Sequence, residues 1–262
     1  MLTIDLKGRR VLVCGASKGI GLSVSRMLAQ CGAEVCLLAR QEGLLQKNIL
    51  TMPSDSGQRH QWIAADMNDH TGMLAGVRSK LEQGPFDILV NNTGGPAGGK
   101  LWDATSDQLL MAFNQHLIAA HELMKILIPG MKSSSYGRII NIISTSVKQP
   151  LENLGVSNTI RAAMASWAKT LANELGESGI TVNNVLPGAT DTDRLKEIIA
   201  RESLLHKRSE EESIRLMQSQ IPLKRFALPE EIASAVAFLA SPLAGYITGI
   251  NLPVDGGRTK SL

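Results

Sequence analysis

Residues 10–21 read Arg10-Val-Leu-Val-Cys14-Gly15-Ala-Ser17-Lys18-Gly19-Ile20-Gly21, and the rest of the chain is arranged around them. Arg10–Cys14 is short, apolar and partly β-branched, as a strand buried on both faces should be. Past the glycines, Leu22, Val24, Met27 and Leu28 recur at helical spacing, with Ser23, Ser25 and Arg26 polar between them. Gly32 closes that helix, and Glu34–Ala39 reads as a second strand. Strand, glycine turn, helix, strand is the order in which backbone approaches a pyrophosphate at a helix N-terminus, where free N–H groups and the dipole favour anions. A lone glycine-rich string would be weak evidence, and a structural turn is the competing reading. In this setting Gly15, Ser17, Lys18, Gly19, Ile20 and Gly21 are the expected phosphate-binding set of a dinucleotide site.

The whole chain agrees with an ordinary globular protein. Its 262 residues are 44% hydrophobic and 19% charged, enough for a sizeable core and against disorder. A net charge of +3 without a dense basic cluster argues against nucleic acid. No apolar run reaches bilayer length, and the first residues lack a signal-peptide core, so no membrane partner is expected. Cys14, Cys31 and Cys36 form no Cys-x-x-Cys pair, which suggests reduced thiols in a cytoplasmic protein. With no internal repeat or linker, one domain over 1–262 is the simplest expectation.

Further motifs follow in order. Asn91-Asn92-Thr93-Gly94 follows the apolar run Ile88-Leu89-Val90, and Gly137-Arg-Ile-Ile-Asn-Ile-Ile-Ser144 is another strand pattern. Pro187-Gly188 follows Thr181–Leu186, and Asp255-Gly-Gly257 lies near the C-terminus. With the Gly-x-x-x-Gly-x-Gly spacing of the loop, these elements resemble the short-chain dehydrogenase/reductase family, most closely its 3-oxoacyl-acyl-carrier-protein reductase-like branch. The resemblance covers nearly the whole chain. It implies an α/β fold: a Rossmann-type doubly wound parallel sheet with helices on both faces. It also implies a homotetramer, a carbonyl or acyl-thioester substrate, a place in fatty acid metabolism, and cofactor contacts at Asn92, Gly94, Pro187, Gly188 and Thr192.

The second strand ends at Arg40, where an NAD-specific site would carry an acid for the ribose 2′-hydroxyl. Arg40 with Lys18 and Ser17 suits a 2′-phosphate, so NADP(H) is expected in preference to NAD(H). Solvated surface charge is the alternative reading of Lys18 and Arg40. Asp66, with Met67 beside it, resembles the family aspartate at the adenine edge.

The pattern breaks where the chemistry should be. The family pairs a proton-donating tyrosine with a lysine four residues on, beside a serine and an asparagine on an earlier helix. Ser144 stands at the serine position. The following helix sequence, Ala162 onward, fixes Arg161 at the lysine position and Ser157 at the tyrosine position. The two tyrosines, Tyr136 and Tyr246, are followed four residues later by Ile140 and Ile250, so neither recreates the pair. Counting back from Pro129 aligns His116 with the asparagine, and Asn114 lies about 200° away around a regular helix. The expected set is therefore Ser144, Ser157, Arg161 and His116, with Arg161 also holding ribose. A serine hydroxyl is a weak acid and arginine stays protonated, whereas His116 could titrate near neutrality and relay through water. A satisfied helix histidine is the competing reading of His116, and Lys148 is a further candidate donor. His116 and His121 have the wrong spacing for a shared metal, and no metal is expected.

Residues 193–220 are charged and helix-prone, and in the resembled fold they form a helical lid over the substrate. The faces of 116–131 and 161–175 and the strand 249–254 resemble tetramer surfaces, or equally core. Three functions stand open: a reductase with rearranged acid catalysis, an NADP-binding protein with little turnover, and a non-redox isomerase or lyase in the same fold.

Overall fold

Within strand β1 (Arg10–Cys14) successive side chains alternate between two apolar layers. Val11 and Val13 pack with Val24 and Leu28 of helix α1 (Gly19–Gln30) and with Ile232 and Val236 of the late helix Pro229–Ala240. Leu12 and Cys14 face the other way, into the layer that holds Met73, Leu123 and Leu171. Both faces are covered, which explains why the strand reads as continuous apolar sequence. The computed structural model describes residues 3–261.

The chain continues through β2 (Glu34–Ala39), α2 (Glu42–Ile49), β3 (Gln61–Ala64), α3 (His70–Leu81) and β4 (Ile88–Asn91). Helix α4 (Ser106–Phe113) runs through a π-turn at Asn114–Ile118 into α5 (Ala119–Ser133). Then come β5 (Gly137–Ile142), α6 (Gly155–Leu175), β6 (Ile180–Pro187), α7 (Asp193–His206), α8 (Glu210–Ser219), α9 (Pro229–Ala240) and β7 (Asn251–Val254). All strand pairs are parallel, and the sheet order is β3-β2-β1-β4-β5-β6-β7. This is the doubly wound architecture expected from the sequence. The order reverses between β1 and β4, so a crevice opens beyond their C-terminal ends.

Four asparagines tie the sheet together across that end. Asn91 Nδ2 donates to Asn141 Oδ1, Asn141 to Asn184, and Asn184 to Asn251, each at 2.8 Å. The parallel register places these four residues side by side on β4, β5, β6 and β7.

One boundary changes, and burial favours one of two open readings. The apolar residues of 116–131 and 161–175 are chiefly core within one chain: Leu123, Leu127, Met131, Ala168 and Leu171 are all buried. Among the exposed apolar side chains, Leu101, Trp102, Leu110 and Met111 lie near one another in sequence. The last strand begins at Asn251, because Gly249 takes a left-handed turn with φ +72°. The segment 193–220 forms two helices, α7 and α8. Among the described residues, no helix is long and apolar enough to cross a membrane. Burial pushes the Cys14 and Cys36 thiols up to about 12, so both behave as small apolar side chains.

Candidate active site

A cavity of about 1380 Å³ occupies the crevice. One end is made by the loop between β1 and α1. Gly15 and Gly19 have φ of +60° and +57°, a region that glycine enters freely. A Cβ on Gly15 would lie 2.5 Å from the Asn92 carbonyl oxygen, and one on Gly21 would run into the Gly15 carbonyl and lie 2.7 Å from Asn92 Nδ2. Asn92 Nδ2 also donates to the carbonyls of Cys14 and Gly15, at 3.3 and 3.1 Å. Asn92 is thus a staple between β4 and the loop. Helix α1 starts without a side-chain cap or a first-turn acid, leaving its N-terminal N–H groups and dipole to an anion.

Ser17, Lys18, Gly19 and Ile20 line the cavity, as do Arg40, Asp66 and Met67. Gly21 does not; its role is the tight packing just described. Arg40 Nη1 lies 3.9 Å from Asp66 Oδ2, and Lys18 Nζ lies 3.5 Å from Asp193 Oδ2. Both cationic side chains remain mostly exposed at the rim. Asn92, Gly94, Pro187, Gly188 and Thr192 complete the expected nucleotide wall. A Cβ on Gly94 would meet no protein atom, whereas one on Gly188 would lie 2.8 Å from Asp255 Cα. The terminal Asp255-Gly-Gly motif therefore supports this wall from behind.

Ser144, Ser157 and Arg161 converge on the same cavity. Ser144 ends the β5 segment, and its Oγ accepts from the Ser146 N–H at 3.1 Å, which leaves its O–H to donate. Ser157 lies in the first turns of α6, with no hydrogen-bond partner among the described residues. Arg161 follows one turn later. Its guanidinium is buried, donating to the carbonyls of Ile142 at 3.1 Å and Thr93 at 3.5 Å. No carboxylate among the described residues pairs with it. Burial lowers its pKa to about 10, so it remains a cation at neutral pH.

His116 departs from expectation. It lies outside this cavity, on a separate void of about 10 Å³ that also meets Arg161 and Asn91. Its Nδ1 hydrogen-bonds Thr93 Oγ1, and its Nε2 is buried without a partner. Burial, then the charge of Arg161, pushes its pKa down to about 2. It is neutral near pH 7 and cannot be the titrating relay. The cause is local: the π-turn adds a residue to the helix turn, leaving Asn114 exposed, Gln115 on the cavity and His116 inside. Neither tyrosine serves the site. Tyr136 is buried and donates to the Ala240 carbonyl at 2.6 Å, and Tyr246 is fully exposed. Lys148 is half-buried beside the cavity, whose wall is formed by Gln149 and Pro150 instead.

Sequence reasoning missed Thr93, Gln115 and Arg201. Thr93 touches both His116 and Arg161. Among the described residues, no cluster of three His, Cys, Asp or Glu side chains is placed to hold a metal.

A family model described as enoyl-(acyl carrier protein) reductase matches residues 15–259. A 3-oxoacyl-[acyl-carrier-protein] reductase of Vibrio cholerae is 34% identical over 257 residues, covering 97% of this chain and 98% of the relative. An NADPH-dependent reductase of Bacillus subtilis is 32% identical over 266 residues, covering 97% of this chain and 99% of the relative. Among solved structures, the L-sorbose reductase of Gluconobacter frateurii complexed with NADPH and L-sorbose matches with a TM-score of 0.93 and 31% identity, covering 100% of both chains.

Proposed function

Because the chain belongs to the short-chain dehydrogenase/reductase family, we propose that it is an NADP(H)-dependent oxidoreductase that reduces a 3-oxoacyl or related ketone through a serine–arginine site. The observation that carries this reading is the convergence of Ser144, Ser157 and Arg161 on the cavity that begins at the glycine loop. Gly15, Ser17, Lys18, Gly19, Ile20, Asn92 and Gly94 would hold the phosphates and ribose. Asp66 and Met67 would meet the adenine, and Pro187, Gly188 and Thr192 the nicotinamide. Arg40 and Lys18, both exposed at the rim, would grip the 2′-phosphate. The NADPH carried by the sorbose reductase and named for the Bacillus relative supports the same cofactor.

When bound, the nicotinamide supplies a hydride to the carbonyl carbon. The protein stabilises the charge that develops on oxygen. Arg161 brings a fixed cation in a desolvated setting, and the Ser144 and Ser157 hydroxyls donate toward the same region. The alkoxide then takes its proton from water in the cavity, since neither serine nor arginine releases one readily. Arg161 would also hold the ribose. Helices α7 and α8 cover the substrate end. A homotetramer in the cytoplasm belongs to the same reading, with Leu101, Trp102, Leu110 and Met111 offering exposed apolar area for a second copy.

Fluorescence titration should give NADPH roughly tenfold or more over NADH, with the preference lost in Arg40→Ala. NADPH oxidation should then appear with 3-oxoacyl thioesters or diketones. The second reading, a nucleotide-binding protein with little turnover, is favoured by one observation: neutral His116 and protonated Arg161 leave no titrating relay. It prevails if NADPH binds but is oxidised only after Ser157→Tyr with Arg161→Lys.

A further inference from the structure

We propose that the lid side of the cavity is an anion-binding subsite built on Arg201, so that the substrate is a ketone bearing a carboxylate or phosphate. This rests on the reductase reading of the same cavity. Arg201 lies on α7, half-buried, and lines the cavity. It has no hydrogen bond or ion pair among the described residues. Its neighbours are differently placed. Arg194 pairs with Glu197 at 3.1 Å and donates to the Pro96 carbonyl at 3.0 Å. His206 and Arg208 share Glu202, at 3.3 and 3.9 Å. Lys18 takes Asp193. Asp193, Glu197 and Glu202 are thus engaged; of the α7 cations on the cavity wall, Arg201 and the exposed Lys196 carry no ion pair among the described residues, and only Arg201 is half-buried.

Its position is also built. The guanidinium lies against the backbone of Gly98, where a Cβ would fall 2.6 Å from Cζ. The seat therefore exists because residue 98 is glycine. The segment holding it is fixed in turn: Gly99 N donates to the Asn153 carbonyl at 2.7 Å, and Gly155 N donates to the Gly99 carbonyl at 3.0 Å. Gly155 opens the helix that carries Ser157 and Arg161. An anion on Arg201 would consequently be held in fixed relation to the reacting carbonyl. A half-buried guanidinium costs desolvation that no protein group here offsets, and its planar fork suits two oxygens of a carboxylate or phosphate.

The test uses full-length protein saturated with NADPH. Calorimetric titration with malonate and with inorganic phosphate should show binding of one or both. Binding should weaken about tenfold or more in Arg201→Gln, partly in Arg201→Lys, and also in Gly98→Ala, which displaces the guanidinium. Affinity for NADPH should change less than about twofold in all three. Preference for malonate identifies a keto acid, and preference for phosphate identifies a phosphorylated substrate. Binding of neither anion, or binding unchanged in Arg201→Gln, overturns the subsite. A kinetic arm separates the two readings. If no keto acid, phosphorylated ketone or 3-oxoacyl thioester oxidises NADPH while Arg201-dependent anion binding persists, the reductase reading fails and the subsite stands. If methyl acetoacetate is reduced as well as acetoacetate, and neither malonate nor phosphate binds through Arg201, the subsite fails and the reductase stands.

Discussion

The glycine loop after β1 and the serine–arginine wall after β5 sit in one cavity, but they are made by different means. The loop is made of backbone: Gly15, Gly21 and the Asn92 staple leave no room for a side chain and place N–H groups by steric necessity. The wall is made of side chains from several elements. Arg161 comes from α6, its carbonyl partners from the ends of β4 and β5, and His116 from the π-turn that packs behind them. Backbone geometry admits few substitutes, and side-chain constellations admit many. Within one fold, nucleotide binding can thus keep its familiar form while the proton-transfer residues are replaced.

Gly21→Ala should break the backbone half most severely. Its methyl group would overlap the Gly15 carbonyl and crowd Asn92 Nδ2, so the loop must shift. We expect NADPH affinity to fall by about two orders of magnitude, and stability by about 1–3 kcal/mol from overpacking. Fluorescence titration and urea unfolding measure the two separately. Unchanged affinity would show that the loop is looser than its contacts imply.

Arg161→Met should separate function from stability in the other half. A buried guanidinium without a carboxylate contributes little net stability, because desolvation opposes its two carbonyl hydrogen bonds. Losing those bonds costs roughly 1–3 kcal/mol each at most, and removing the buried charge offsets much of it. The melting temperature should therefore move only about 3 °C, while kcat for NADPH oxidation falls on the order of 10²-fold or more. A collapse of the fold without a specific effect on turnover would make Arg161 a structural residue.

This difference also explains what could be read from sequence. Strands such as Val11–Val13 and Ile88–Val90, buried on both faces, announce themselves by composition, and the glycines announce the turn. Ser144, Ser157 and Arg161 were legible because α6 is regular and a count along it holds. The count from Pro129 chose His116 over Asn114, and in the structure Asn114 is exposed while His116 is buried beside Arg161; what the count could not reveal is that this burial keeps the imidazole neutral. Thr93 shows the physical link between departures. Its hydroxyl meets His116 and its carbonyl meets Arg161, so three unfamiliar residues form one packed group. Arg201 left no sequence signal, because charged residues are common along α7 and only the contact with Gly98 singles it out.

The smallest expected effect concerns His116 and decides to which half of the comparison it belongs. Its folded pKa is lowered to about 2 by burial and by Arg161, from an ordinary 6.5. Between these values the unfolded chain binds a proton that the folded chain refuses. Stability therefore rises with pH through that window, is fully present above about pH 7, and is lost as pH falls. From pH 7 to pH 5.5 the loss assigned to this group is about 1.3 kcal/mol. His116→Gln removes the titration yet offers Thr93 an amide partner, so its urea-unfolding free energy should fall by that much less over the same interval. The remaining histidines are present in both proteins and cancel in the difference. The pH profile of NADPH oxidation between 5.5 and 8 should keep its shape, because a histidine that stays neutral transfers no proton. A parallel loss of stability in both proteins, joined by a changed profile, would return His116 to the chemistry.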